Sequence, residues 1–177
     1  EKAIEIKPKI AVVWHGKGLA LRHQGKLDEA LKAYDEALDI DPRLLDAWNN
    51  KAMALYLLGN YSESLNASER ALQLNAKYAA AWDTKGISLS ALGRYETALE
   101  SFDEALVLQP SVAEGWLHKG EALTHMERFN ESLEAYEKAI ELNANYSEAW
   151  KGKGNALQAL GRDADAQATL DRARVLG

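Results

Sequence analysis

The sequence predicts an all-α protein built from stacked helix pairs rather than a single globule, and three spacings predict it. All five tryptophans fall one every 34 residues, at Trp14, Trp48, Trp82, Trp116 and Trp150. Four places after each stands a small residue: Gly18, Ala52, Gly86, Gly120 and Gly154. Seven places after each stands Leu21, Leu55, Leu89, Leu123 or Leu157. A rare, bulky side chain at a fixed interval means that one supersecondary unit has been copied along the chain. The i, i+4, i+7 spacing is the one-sided pattern of a helix.

Placing each tryptophan fourth in its unit gives repeats at 11–44, 45–78, 79–112, 113–146 and 147–177, the last three residues short. The first helices are predicted over 11–24, 45–58, 79–92, 113–126 and 147–160. Each ends at Gly25, Gly59, Gly93 or Gly161, with Glu127 in the fourth repeat. Glycine there suits the left-handed residue that closes a helix. The second helices are predicted over 28–41, 62–75, 96–109, 130–143 and 164–176. Near their starts stand Ala30, Ser64, Ala98, Ser132 and Ala166, and an alanine recurs at Ala37, Ala71, Ala105, Ala139 and Ala173. In the first repeat Ala30, Leu31, Tyr34, Ala37 and Leu38 share one face. Asn60-Tyr61-Ser62-Glu63 has the form of a capping box. Pro42 and Pro110 stand where a second helix must stop. The small residues, Gly18 with Ala30 and Gly86 with Ala98, are expected where paired helices approach closely, with the tryptophan filling the space beside them.

The ends read as raw. In residues 1–10, Ala3, Ile6 and Pro8 match the close of a second helix, so this stretch is read as the end of a preceding, truncated repeat. Ala166, Leu170, Ala173 and Leu176 are expected to leave an apolar patch open. End-to-end self-association through such uncapped repeats follows as an expectation.

Composition narrows the chemistry. Net charge is −6 and the sequence pI is about 5.3, a poor match for the phosphate backbone of nucleic acid. There is no cysteine. No apolar run approaches the ~20 residues of a membrane span, and residues 1–10 hold no secretory apolar core. A cytoplasmic location is the expectation. The four histidines, His15, His23, His118 and His125, do not pair at i, i+4, and none lies in a zinc motif. No nucleophile–base set or phosphate-binding glycine loop is present, so neither catalytic residues, metal nor cofactor are expected. Asn60, Asn66, Asn130 and Asn145 open Asn-x-Ser triplets, read as polar helix starts.

With these positions in hand, the chain resembles the tetratricopeptide repeat family. The 34-residue period carries it, together with runs such as Trp82-Asp83-Thr84-Lys85-Gly86 and Ala98-Leu99-Glu100-Ser101-Phe102-Asp103-Glu104-Ala105. The resemblance covers nearly the whole chain. Departures are Glu127 for glycine, Asp163 for the turn aromatic, and Ala76 and Ala144 for proline. The resemblance implies a right-handed α-solenoid of antiparallel helix pairs. It further implies that a concave face lined by the first helices binds a peptide or partner segment. One departure is systematic: Lys17, Lys51, Lys85, Lys119 and Lys153 stand where the family usually has leucine. At roughly 100° per residue they fall on the flank away from that face. Stems covering the core, with ammonium groups reaching water or a carboxylate, are the expectation.

The places one, five and eight after tryptophan share a side that the core pattern does not use, and in the family these line the concave surface. Here they are His15, Leu19 and Arg22; Asn49, Met53 and Tyr56; Asp83, Ile87 and Ser90; Leu117, Glu121 and Thr124; and Lys151, Asn155 and Gln158. Leu19, Met53 and Ile87 form an apolar stripe suited to an apolar or amphipathic segment. Glu121 and Asn155 turn the later part toward a polar or basic one. Some family members grip a chaperone's terminal carboxylate with a Lys/Asn clamp. Lys151 and Asn155 match its first pair and Asn50 its middle place, but the set is incomplete. A non-enzymatic interaction scaffold leads. A structural spacer or assembly array, and the recruiting arm of an enzyme lying outside these residues, remain alternatives.

Overall fold

The computed structural model describes the backbone of residues 2–177 and the side chains from residue 10 onward. The described residues form ten helices and no strand. They are α1 (Lys2–His23), α2 (Leu27–Ile40), α3 (Leu45–Leu57), α4 (Tyr61–Leu74), α5 (Ala79–Ala91), α6 (Tyr95–Leu108), α7 (Ala113–His125), α8 (Phe129–Leu142), α9 (Ser147–Ala159) and α10 (Asp163–Leu176). The chain divides into two compact units, Glu1–Leu92 and Gly93–Gly177. In the first, each of α1 to α5 packs on the next, and α3 also touches α1 and α5. In the second, α6 to α10 pack in the same succession, and α7 also touches α9. This is the all-α solenoid of helix pairs.

The first helices of repeats two to five stop one residue short of the expected ends, and the second helices begin one residue early. α1 differs more. It is continuous from Lys2 through Pro8 to His23, so its backbone shows no break near residue 10. The side-chain packing of Ala3 and Ile6, on which assignment to a preceding repeat rests, lies outside the described residues.

The turns between paired helices explain themselves locally. Gly25, Gly59, Gly93 and Gly161 have φ of 71–82°. Behind Gly59, the Asn60 amide donates to the Leu55 carbonyl at 2.9 Å and the Gly59 amide to the Tyr56 carbonyl at 2.9 Å, the paired bonds of a Schellman close. The same turn overturns the capping box. A box needs the Asn60 amide free for Glu63, whereas here it is already committed, and Asn60 makes no side-chain cap bond. Glu127 keeps the geometry at φ 57°, with the Arg128 amide on the Leu123 carbonyl at 2.9 Å. Left-handed backbone costs a residue with a Cβ roughly 1–2 kcal/mol, part of which glycine returns as unfolded-state entropy. Glu127→Gly is expected to raise stability by about 0.5–1 kcal/mol, read from the urea midpoint at constant slope.

Close approach is set by a size exchange. A Cβ on Gly120 would stand 2.7 Å from the Tyr136 ring, and one on Gly154 2.6 Å from Leu170. Gly18 is likewise closed off by Tyr34. In the second repeat the equivalent places hold Ala52 and Ser68, both fully buried. Thus the first-helix glycine meets the large residue of its partner helix. Ala30 and its counterparts are buried too, but the glycines answer to Tyr34, Tyr136 and Leu170.

The tryptophans are half-buried rather than enclosed. The outer edge of each ring works instead. The indole N–H groups of Trp48, Trp82, Trp116 and Trp150 donate to the carbonyls of Pro42, Ala76, Pro110 and Ala144 at 2.8–2.9 Å. Each indole thereby ties its helix to the loop entering the repeat. A carbonyl is all that bond requires, so Ala76 and Ala144 serve as well as proline.

Candidate functional site

In the first unit the side opposite the tryptophan–lysine flank is built from α1, α3 and α5. Places one and two after tryptophan link neighbouring first helices there. The Asn50 side-chain amide sits 3.0 Å from His15 Nε2. The Thr84 hydroxyl lies 2.9 Å from the Ala80 carbonyl and 3.1 Å from Asn49 Oδ1, and its single proton is shared between these acceptors. Burial lowers the pKa of His15, against the opposing pull of Asp46, so the imidazole is neutral near pH 7 and can accept from Asn50. His15 and Asn49 therefore hold helices together as well as facing outward.

The apolar stripe is shorter than the pattern suggested. Leu19 and Met53 are half-buried and reachable, but Ile87 is 8% exposed. Its helix α5 buries residues almost all round, from Thr84 through Leu89, because neighbouring helices widen its buried arc. Of the remaining places, Tyr56 packs a ring on Tyr61 at 5.6 Å and Asp83 is half-buried. The Ser90 hydroxyl is buried with no hydrogen-bond partner. Arg22 is half-buried beside the fully buried Tyr34.

In the second unit the face is carried by α7 and α9. Leu117, expected to line it, is 6% exposed and belongs to a core cluster with Leu133, Tyr136 and Leu157, so it offers a partner little surface. Glu121, Lys151, Asn155 and Gln158 are exposed. The Thr124 hydroxyl donates to the Gly120 carbonyl at 2.8 Å and lies 3.1 Å from the Tyr136 hydroxyl. Glu121 is held above the usual carboxylate range. Loss of hydration is the largest cause, with His118 and His125 opposing it and Glu148 adding to it.

Two cavities lie in this unit. One of about 620 Å3 between α7 and α8 is lined by Trp116, Lys119, Leu123, Glu131 and Glu137 among others. Another of about 480 Å3 against α9 and α10 is lined by Lys151, Leu170, Ala173 and Arg174 among others. Among the described residues no group of three His, Cys, Asp or Glu could hold a metal ion. No described helix is long and apolar enough to cross a membrane.

The repeat geometry agrees with family models. One described as TPR repeat matches residues 18–59. Three described as tetratricopeptide repeat match 45–78, 84–142 and 123–174. The chain belongs to the tetratricopeptide repeat family. No curated protein sequence matches this TPR chain. Among solved structures it resembles MamA 41-end from Desulfovibrio magneticus RS-1, with a TM-score of 0.82 and 20% identity over 94% of each chain. It also resembles PilF of Pseudomonas aeruginosa, with a TM-score of 0.87 and 21% identity over 97% of this chain and 78% of that one. A third is YrrB, described as a TPR protein with an unusual peptide-binding site, with a TM-score of 0.74 and 22% identity over 99% of this chain and 90% of that one. At these identities the likeness is one of fold.

The lysine row in these TPR units is structural. Lys51 pairs with Asp35, Lys85 with Glu69 at 3.3 Å, Lys119 with Asp103 at 2.6 Å and Lys153 with Glu137 at 2.7 Å. Each joins a first helix to the second helix of the repeat before it. The ammonium groups of Lys17, Lys51, Lys85 and Lys119 also lie 4.5–5.5 Å from the centroids of the tryptophan three places earlier. Stems cover the core and heads reach carboxylates, as the helical wheel suggested. With half-exposed carboxylates, each pair contributes under about 1 kcal/mol.

Proposed function

We propose that the chain is a non-enzymatic scaffold whose first-helix faces bind a peptide or partner segment. The observation that carries the reading is the pair Leu19 and Met53. They occupy the same place in successive repeats, both are half-exposed, and α1 and α3 lie against each other. Apolar side chains left in register on adjacent helices suit an apolar or amphipathic segment. The peptide-binding site named for the YrrB structure supports the same use of this fold. In the second unit Glu121, Thr124, Lys151, Asn155 and Gln158 make a polar counterpart suited to a polar or basic stretch. The scaffold works without a cofactor, nucleic acid or membrane, and its place is the cytoplasm.

An array of 12-residue peptides tests the reading. Leu19→Asp and Met53→Asp are each expected to weaken retained peptides at least tenfold, with unchanged helical circular dichroism. Unaltered binding by both variants removes the face from consideration. A second reading, self-association through α9 and α10, is favoured by the cavity there lined by Leu170 and Ala173. Sedimentation that shifts with concentration supports it, and an invariant monomer refutes it.

A further inference from the structure

Two repeats carry tyrosine at the same place of the second helix, Tyr34 in α2 and Tyr136 in α8, and they are satisfied differently. Tyr136 is 2% exposed, and its hydroxyl lies 3.1 Å from that of Thr124, the residue eight places after Trp116. Tyr34 is fully buried, and beyond the Arg22 side chain beside it, which can only donate to its oxygen, its hydroxyl has no hydrogen-bond partner. The residue eight places after Trp14 is Arg22. Burial raises the pKa of Tyr34, and the Arg22 guanidinium beside it pulls the other way. Arg22 Nε is itself buried without a partner, and Arg22 makes no ion pair among the described residues.

A threonine hydroxyl can both give and take a hydrogen bond, so it completes Tyr136. A guanidinium only donates. Even if the Tyr34 oxygen accepts from it, the Tyr34 O–H and the Arg22 Nε–H still need an acceptor. Buried donors left unpaired are costly. Arg22 as a whole is half-buried, so part of this side chain meets solvent. His15, whose ring centroid lies 6.0 Å from that of Tyr34, is neutral and adds no competing charge.

We propose that this corner of the first-helix face binds a carboxylate of an acidic peptide segment. Its oxygens are taken by the Arg22 guanidinium and brought within reach of the Tyr34 hydroxyl, while the segment's apolar side chains lie along Leu19 and Met53. A carboxylate supplies paired acceptors and the opposite charge, which a guanidinium binds side-on. The inference rests on the peptide-binding reading above and gives it a chemical preference. It differs from the Lys/Asn clamp, whose full set of positions this chain does not complete.

The test uses the same array, with each Asp or Glu of a retained peptide replaced in turn by Asn or Gln. On the unaltered protein, one such replacement is expected to cost roughly tenfold in affinity. Arg22→Thr recreates the pair present in α7 and α8, so it is expected to stay folded and to bind the acid and amide peptides alike. Tyr34→Phe, matching Phe102 at the same place of α6, is expected to stay folded and narrow the acid-over-amide preference several-fold. Peptides sensitive to Met53→Asp but indifferent to acid-to-amide change, or an Arg22→Thr protein that keeps the acid preference, would overturn the carboxylate site and leave the scaffold standing. An array that retains nothing overturns both.

Discussion

Gly120→Ala is expected to lower stability by about 1–2 kcal/mol in the unaltered chain and to raise it once Tyr136 is replaced by serine. Alanine in mid-helix is normally better than glycine by about 0.5–1 kcal/mol, so the sign in the unaltered chain must come from packing. The new Cβ would stand 2.7 Å from the Tyr136 ring. The ring also lies close against the backbone of the neighbouring first helix at Gly152, where an added Cβ would stand 2.5 Å from it, so it has little room to step aside. Tyr136→Ser alone empties a site that is 2% exposed and is expected to cost about 3–5 kcal/mol, as for other large aromatic truncations. In that background Gly120→Ala meets open space and keeps only its propensity gain, about 0.5–1 kcal/mol. The second repeat already holds this combination in Ala52 and Ser68, with Thr84 where the fifth repeat has Gly152. Urea unfolding of the double-mutant cycle, with amide exchange in α7–α9 against α1–α3 as a local readout, checks it. The packing account fails if Gly120→Ala is stabilising in both backgrounds.

That exchange shows what a linear reading could reach. The period, the ten helices and the left-handed turns follow from the spacing of Trp, Gly, Leu and Ala, because each is a local demand of helix and turn geometry. Even the lysine row was legible, since its angle on the helix placed it on the flank where Asp35, Asp103 and Glu137 wait. The candidate face was legible in outline and misjudged in detail. A helical wheel treats one rod in isolation, whereas α5 and α7 have neighbours on more than one side. Ile87 and Leu117 therefore sink into the core although their wheel angle points outward. The bonds from His15 to Asn50 and from Asn49 to Thr84 also escaped, though a signal existed: polar pairs recurring 35 residues apart at places one and two. The capping box failed because one residue cannot both close the helix before it and cap the helix after it with the same amide. Tyr34 and Arg22 could have been noticed by setting the first repeat against the fourth, where threonine stands in place of arginine.

Trp48→Ala is expected to cost about 3 kcal/mol, and Trp48→Phe about 1 kcal/mol. The ring is half-buried, so its truncation belongs at the low end of the range for large aromatics. It packs with Ala37, Leu38, Ala47 and Leu44 and helps to cover the cluster of Ala52, Leu55 and Ala67. Phenylalanine retains most of that contact. What it loses is the indole N–H donated to the Pro42 carbonyl at 2.9 Å and the stronger attraction for the Lys51 ammonium 5.5 Å from the ring centroid. The difference between the two substitutions thus separates burial from the loop tether. Because the same tether recurs at Trp82, Trp116 and Trp150, slowed exchange of all four indole N–H protons is expected in the folded protein. In Trp48→Phe the amides of Asp41, Arg43 and Leu44 should lose protection while those of residues 75–78 keep theirs. If alanine costs no more than phenylalanine, burial of the ring has no energetic weight; if phenylalanine costs nothing, or if the indole protons exchange as fast as free tryptophan, the tether has none.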